Sequence, residues 1–221
     1  MCGRFTSLLS PEMLEEIFGV QSPPDFPARY NIAPAQDIWI IRQAVGGNRY
    51  VSPVRWGLIP HWAKDSSIGS LMINARYETV HEKPSFRSAI RTRRCIIPAS
   101  GFFEWDHSGK VNVPHYISLK DGSPLALAGI WDSWQSPGGE TIESCSILTT
   151  TSNSLVAALH GRMPVILHPT EFDLWLDRSV NDPDHLRRLC QHYPSGLMQE
   201  WEVSPLVNKP VHDSPETIRP I

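Results

Sequence analysis

Apolar residues along this chain fall mostly into short alternating or β-branched runs, the spacing of strands with one face on a core. DIWIIRQA (37–44) and YVSPVRWGLI (50–59) read as two strands around the turn GGN. RCIIPASGFFEWDH (94–107), HYISLK (115–120), PLALAGIWDSW (124–134) and SCSILTTT (144–151) follow, separated by turn signals at DHSGK, KDGS and QSPGGE. Helical spacing is rarer. PEMLEEIF (11–18) has Ser10 as cap, Pro11 in the first turn and Gly19 at the exit. Late in the chain, SLVAALH (154–160) stops at Gly161. EFDLWLD (171–177) follows Pro169 and Thr170, with Asp173 completing a capping box, and DHLRRLCQH (184–192) starts behind Asp182-Pro183 and ends before Pro194. Between the first helix and the first long strand, QSPPDFPARYNIAP (21–34) is too rich in proline for a helix. The pattern predicts an α+β fold: a single domain over residues 1–221, with a mainly antiparallel, barrel-like β core and short peripheral helices. Strands arriving as hairpins argue against a Rossmann sheet. Neither GxGxxG nor GxxxxGK[ST] occurs.

Composition narrows the class. With 221 residues, 41% apolar and 19% charged, the chain has the make-up of a soluble globular domain. No apolar run reaches membrane-spanning length, and the start lacks a basic segment followed by an apolar stretch. A cytoplasmic location is expected, nucleoid-associated in a bacterium, with no membrane partner. Cys2, Cys95, Cys145 and Cys190 lie far apart without metal spacing, so neither a disulfide framework nor a zinc site is expected.

Net charge is −3, which excludes a generally basic nucleic-acid coat, but its distribution is uneven. No acidic residue stands between Lys83 and Phe103, while Arg87, Arg91, Arg93 and Arg94 crowd together there, and arginines outnumber lysines fifteen to five. Arginine's planar fork suits phosphate oxygens. The same run also reads as a solvated strand edge, so charge permits nucleic acid without establishing it.

Candidate chemistry begins at MCGRF. Removal of Met1 would leave Cys2 with a thiol and an α-amine on adjacent carbons; a retained Met1 or a frayed end would leave it inert. An α-amine with a reference pKa of about 7.7–8.0 is partly neutral near pH 7.5 and can attack an aldehyde. The resulting iminium can be closed by the neighbouring thiol into a thiazolidine. Glu104, between Phe103 and Trp105, reads as a general acid in an apolar setting or as an outward-facing strand residue. His160, at the end of a predicted helix, reads as a proton-transfer group or as a helix cap. Asn74 and Arg76 form a polar pair after the apolar approach LMI. No HExxH or HxH spacing suggests a metal, and no cofactor is expected.

The motifs MCGRF, RYNIAP (29–34), WGLIPHW (56–62), INARYET (73–79), KPSFR (83–87), RRCIIPASGFFEW (93–105), TTTSN (149–153), HGRMPVIL (160–167) and VNKPVHDSPE (207–216) occur in that order. Together they resemble the family of SOS-response-associated peptidases over nearly the whole chain. The resemblance implies a mainly β single domain that shields abasic sites in single-stranded DNA. Its mature terminal cysteine would form a thiazolidine crosslink with the ring-opened deoxyribose. On that reading Cys2 is the double nucleophile, Glu104 the acid–base group, His160 an assistant in proton transfer, strand cleavage and crosslink reversal, and Asn74 the holder of sugar and terminus. Arg4, Arg76 and Arg162 match basic positions suited to phosphates, while Pro34, Trp105 and Thr149 match positions lining the DNA groove. The chain departs from the usual pattern at Gly161, where an Asp is common, and at Ser100 and Phe103, where Asp and Tyr are common.

Two other readings use the same residues. One is a thiol autopeptidase that removes Met1, and the other a non-catalytic reader of modified DNA. The expected partner is single-stranded DNA containing abasic sites, bound by a monomer, with AP lyase activity as a possible accompaniment.

Overall fold

The computed structural model describes residues 2–23 and 26–221; Met1, and Pro24 and Asp25 of the proline-rich connector, lie outside the described residues. Five strands close into a barrel: β3 (Asp37–Gln43), β4 (Arg49–Trp56), β6 (Arg94–Ala99), β9 (Leu125–Gln135) and β10 (Thr141–Thr151). In order around the ring, β4–β3–β6–β9–β10 pair antiparallel, and a short parallel pairing of β10 with β4 (Ser144 against Arg55, Cys145 against Trp56) closes it. Two three-residue strands extend β10: β5 (Asn74–Arg76) parallel and β11 (Arg162–Pro164) antiparallel.

A second, wholly antiparallel sheet runs β12 (Met198–Glu202), β8 (Val113–Leu119), β7 (Gly101–Asp106), β1 (Phe5–Ser7), β2 (Arg29–Ile32). The expected strand 94–107 is therefore two strands, β6 in the barrel and β7 in the sheet. Ser100 is the joint, and its hydroxyl accepts from Leu8 N at 2.7 Å. The end of the proline-rich connector, read from sequence only as non-helical, supplies β2.

Both faces of most barrel strands are covered, which is why β6 is buried at every position instead of alternating. On one face Ile38, Ile40, Ile97, Leu127 and Ile147 meet Phe5, Phe102, Ile117 and Met198 of the second sheet. On the other, Ile41, Ile96, Ala128 and Leu148 lie under five short helices. These are α1 (Pro11–Phe18), α2 (Tyr77–Val80), α3 (Ala89–Thr92), α4 (Phe172–Leu176) and α5 (Pro183–Leu189). The first helix begins and ends as its sequence predicts, with Ser10 accepting from Met13 N and Gly19 left-handed at φ 66°.

The late helices are shorter than expected. Residues 154–160 make only a 3₁₀ turn at Val156–Ala158, because Asn153 Oδ1 captures Leu155 N and Val156 N and the chain must return at once to pair β11 with β10. The helix near residue 171 starts one turn earlier, its box formed by His168 and Glu171, with Glu171 Oε2 accepting from His168 N at 2.7 Å. α5 is capped by Asp182 as expected but ends at Leu189.

Gly101 shows how tightly the second sheet is packed. A Cβ there would sit 2.4 Å from the Tyr116 ring and 2.7 Å from Ile117 O. Tyr116 cannot retreat, since its hydroxyl bonds Thr6 at 2.8 Å and its ring packs on Phe103 and Trp201. Gly101→Ala is expected to destabilise the protein by about 2 kcal/mol, lowering Tm by roughly 4–8 °C in thermal melts.

Candidate active site

The chain's first residues enter the core because β1 lies between β7 and β2. Phe5 faces Phe102, Thr6 faces Gly101, and Phe103 N donates to Arg4 O at 3.0 Å, so the register carries Gly3 towards Glu104. On the other side Phe5 faces Ile32, which runs Pro34 towards Gly3. Pro34 is half-buried and opens a turn in which Ala35 adopts φ 68°, a left-handed conformation unusual for a residue with a Cβ.

Cys2 is completely buried, and Asn74 Nδ2 donates to its carbonyl at 2.8 Å. Burial first, and the Glu104 carboxylate second, push the Cys2 thiol up to about 12, so it rests as a protonated thiol. Asn74 Oδ1 is also buried and has no hydrogen-bond partner among the described residues. A buried orphan acceptor beside Cys2 is an unmet demand for a donor.

Glu104 is 3% exposed, which decides between its two sequence readings in favour of the apolar setting. Burial raises its carboxyl above the ordinary range, outweighing the amino terminus, which pulls it down. Glu104 thus lies within the electrostatic reach of both Cys2 and His160.

His160 follows a 3₁₀ turn, so it is not the C-cap of a regular helix. Its Nδ1 accepts Arg162 N–H at 2.9 Å. Arg162 does not reach into solvent: Nη1 and Nη2 bind Glu78 Oε1 and Oε2 at 2.6 and 2.8 Å, and Nη2 also donates to Thr149 O at 2.6 Å. That ion pair holds the Glu78 carboxyl below its usual range. Thr149 is completely buried beneath the guanidinium, while Arg76, opposite Thr149 in the β5–β10 register, is exposed. Among the described residues the Arg76 guanidinium makes no hydrogen bond or ion pair.

Arg4 is half-buried, its Nη1 donating to Asn31 Oδ1 (2.8 Å) and Val207 O (2.6 Å). Trp105 donates to Asn208 Oδ1 at 2.7 Å and packs on Phe103, Val203 and Val207. The named residues thus form three connected groups. Cys2, Asn74, Glu104 and His160 make the centre; Arg76, Thr149 and Arg162 share one ladder beside Asn74; Arg4 and Trp105 join the terminal strand and β7 to the segment 205–213.

Sequence reasoning missed the residues that hold these groups in place. Glu78 occupies Arg162. Asn31 is completely buried, and its Nδ2 donates to the carbonyls of Val207, Lys209 and His212. Asp213 accepts from Tyr30 N, Asn31 N and Arg29 Nε. All three stand inside quoted motifs, but their partners lie up to 184 residues away. The arginine run also divides. Arg94 is buried in a cage of carbonyls from Ile90, Arg91, Trp175 and Asp177, and Arg93 pairs with Asp132. Arg87, by contrast, lines an open depression of about 540 Å³ with His61 and the exposed Trp62.

The fold and this centre define a class: an α+β barrel-and-sheet protein whose first strand leads back to a buried cysteine beside a buried glutamate and a half-buried asparagine and histidine. Residues 1–210 match the family described as SOS response associated peptidase (SRAP), and the chain belongs to that family. It is 43% identical over 222 residues, 99% of each chain, to a Bacillus subtilis protein named abasic site processing protein YoqW. It is 29% identical over 270 residues, all of this chain and 76% of the other, to the Mus musculus abasic site processing protein HMCES. A crystal structure from Bacteroides thetaiotaomicron is similar at a TM-score of 0.90 and 29% identity, covering 100% of both chains.

The raised Glu104 carboxyl makes a stability prediction with a definite sign. Because its folded pKa lies above the unfolded value of about 4.3, the folded state holds the proton more tightly. The stability it adds is complete below the unfolded pKa and lost as pH rises through the folded one. Glu104→Gln should therefore melt above wild type at pH 7–8, with the gap closing towards pH 4, as read by calorimetry.

Proposed function

We propose that this protein captures abasic sites in single-stranded DNA by covalent attachment to Cys2. The observation that carries the reading is the buried Cys2 held by Asn74 beside a carboxyl that burial keeps protonated more readily than usual. The names of the relatives support the substrate.

With Met1 removed, the neutral α-amine of Cys2 adds to the C1′ aldehyde of the ring-opened sugar, giving a carbinolamine. Glu104 donates its proton to the departing hydroxyl, water leaves, and an iminium remains. The Cys2 sulfur then attacks C1′ while the Glu104 carboxylate takes the thiol proton. The iminium nitrogen becomes neutral, and Glu104 ends protonated as it began. Aldehyde and aminothiol have become a thiazolidine and one water.

A thiol raised to about 12 suits this order, since it stays protonated until the carboxylate formed in the previous step can receive its proton. Closing the ring also consumes the iminium that would otherwise promote β-elimination and strand scission. Asn74 Oδ1 supplies an acceptor for the α-amine or a sugar hydroxyl. Exposed Arg76 is the phosphate contact; Arg162, already paired with Glu78, serves the centre from within.

The test is a denaturing gel of an abasic single-stranded oligonucleotide incubated with protein. Wild type should give a covalent band, and Cys2→Ala or a protein retaining Met1 should give none; equal crosslinking by Cys2→Ala would overturn the reading. The rate should follow a bell-shaped pH profile, rising as the amine loses its proton near about 7.7–8.0 and falling as Glu104 ionises, and Glu104→Gln should remove the carboxyl-dependent limb. Arg76→Ala should weaken binding to intact single strands and reduce the salt slope by about one charge, measured by fluorescence anisotropy.

A further inference from the structure

We infer that Glu78 is a positioning residue that, through Arg162, holds His160 as a neutral ring offering Nε2–H, so that His160 acts as a hydrogen-bond donor and Glu104 alone moves protons. The inference rests on the capture reaction proposed above for its chemistry, and on geometry for its mechanism.

A backbone N–H can only donate. His160 Nδ1 lies 2.9 Å from Arg162 N and 3.2 Å from Arg162 O; the shorter contact is the one served by a lone pair on Nδ1, and a neutral ring so engaged carries its proton on Nε2. Such a ring has no free lone pair with which to accept a proton; what it can offer is a polarised N–H. Beside a carbinolamine it would stabilise the oxygen that Glu104 protonates, in the manner of a preorganised donor.

The contact needs residue 162 to be fixed, and the chain just before it is held only lightly, by Ser152 N donating to Gly161 O at 3.3 Å. Gly161 is exposed, and a Cβ built there would meet nothing within 4 Å. Arg162 is also the last pair of a three-residue ladder, opposite Thr151, where strands fray. The side chain makes up the deficit. Its guanidinium is clamped by both oxygens of Glu78 and by Thr149 O and Oγ1, tying β11 to α2 and β10 together. Fork-to-fork pairing fixes direction as well as distance, so the backbone N–H above it is aimed at the ring. Asn74 and Arg76 lie on the strand that leads directly into Glu78, so one short segment serves both Cys2 and His160.

The experiment uses full-length protein labelled with 15N histidine, with His160 assigned by its loss in His160→Gln, and long-range 1H–15N spectra recorded at pH 8. Wild type should show an unprotonated Nδ1 and a protonated Nε2. In Glu78→Gln and in Arg162→Lys, with amide spectra confirming the fold, the ring should become a mixture of tautomers. Crosslinking by both variants should slow by roughly ten- to a hundredfold, since a misaimed group costs rate without loss of the fold. His160→Gln retains an N–H donor and should stay well above His160→Ala, which should fall by roughly a hundredfold or more.

A wild-type ring protonated on Nδ1, unchanged tautomers in both clamp variants, or His160→Gln as slow as His160→Ala would each overturn the inference. Absence of any covalent band with wild type would instead sink the capture reaction, while the ring spectrum would still decide whether the clamp sets the tautomer.

Discussion

The site depends on a backbone ladder only a few bonds long, the pairing of β1 with β7. Chain termini ordinarily fray, because nothing beyond them repays their entropy. Here the first strand is internal to its sheet, with β7 on one side and β2 on the other, and Phe5 is driven edge-on into Trp56 at 5.2 Å inside the main core. That burial anchors Arg4 and Cys2, which in turn face the part of β7 that bears Glu104. Without the Phe5–Phe102 register, the thiol, the carboxyl and the Asn74 amide would be three unrelated polar groups.

A second constraint complements it. Ionisable groups buried in this protein are tolerated because each is answered by something fixed. Arg94 is surrounded by carbonyls; Arg42 is gripped by Glu143 at 2.5 and 2.9 Å and stacked 4.0 Å over Trp131; Arg162 is met by Glu78. The centre is different: Asn74 Oδ1 lacks a partner among the described residues, and burial shifts both the thiol and the Glu104 carboxyl towards their neutral forms. Other buried polar atoms, such as Ser52 Oγ, His81 Nε2 and Ser146 Oγ, also lack partners among the described residues; what sets the centre apart is that its orphan acceptor adjoins Cys2.

Much of the fold was legible in the sequence because strand alternation and turn residues are local signals. DIWIIRQA matches β3 to within one residue and SCSILTTT falls inside β10, Ser10 and Gly19 bound the first helix, and the antiparallel barrel-like core is present. What was not legible arises from contacts between distant segments. The strand 94–107 breaks at Ser100 because its hydroxyl is claimed by Leu8 N, a partner 92 residues away. The 154–160 segment fails to become a helix because β10 requires β11 beside it. Glu78 and Asn31 stood in view within quoted motifs, yet a carboxylate and an amide acquire meaning only from partners the linear order conceals. The short β5, whose three residues carry Asn74 and Arg76, had no periodicity to reveal it.

The knot of Asn31 and Asp213 on residues 207–213 also makes distant parts of the chain answerable to one another. Arg4, Asn31 and Trp105 all bond that late segment, and β2, which it grips, is the strand beside β1. A disturbance far along the sequence, at residues 207–213, would therefore be felt at the setting of Cys2.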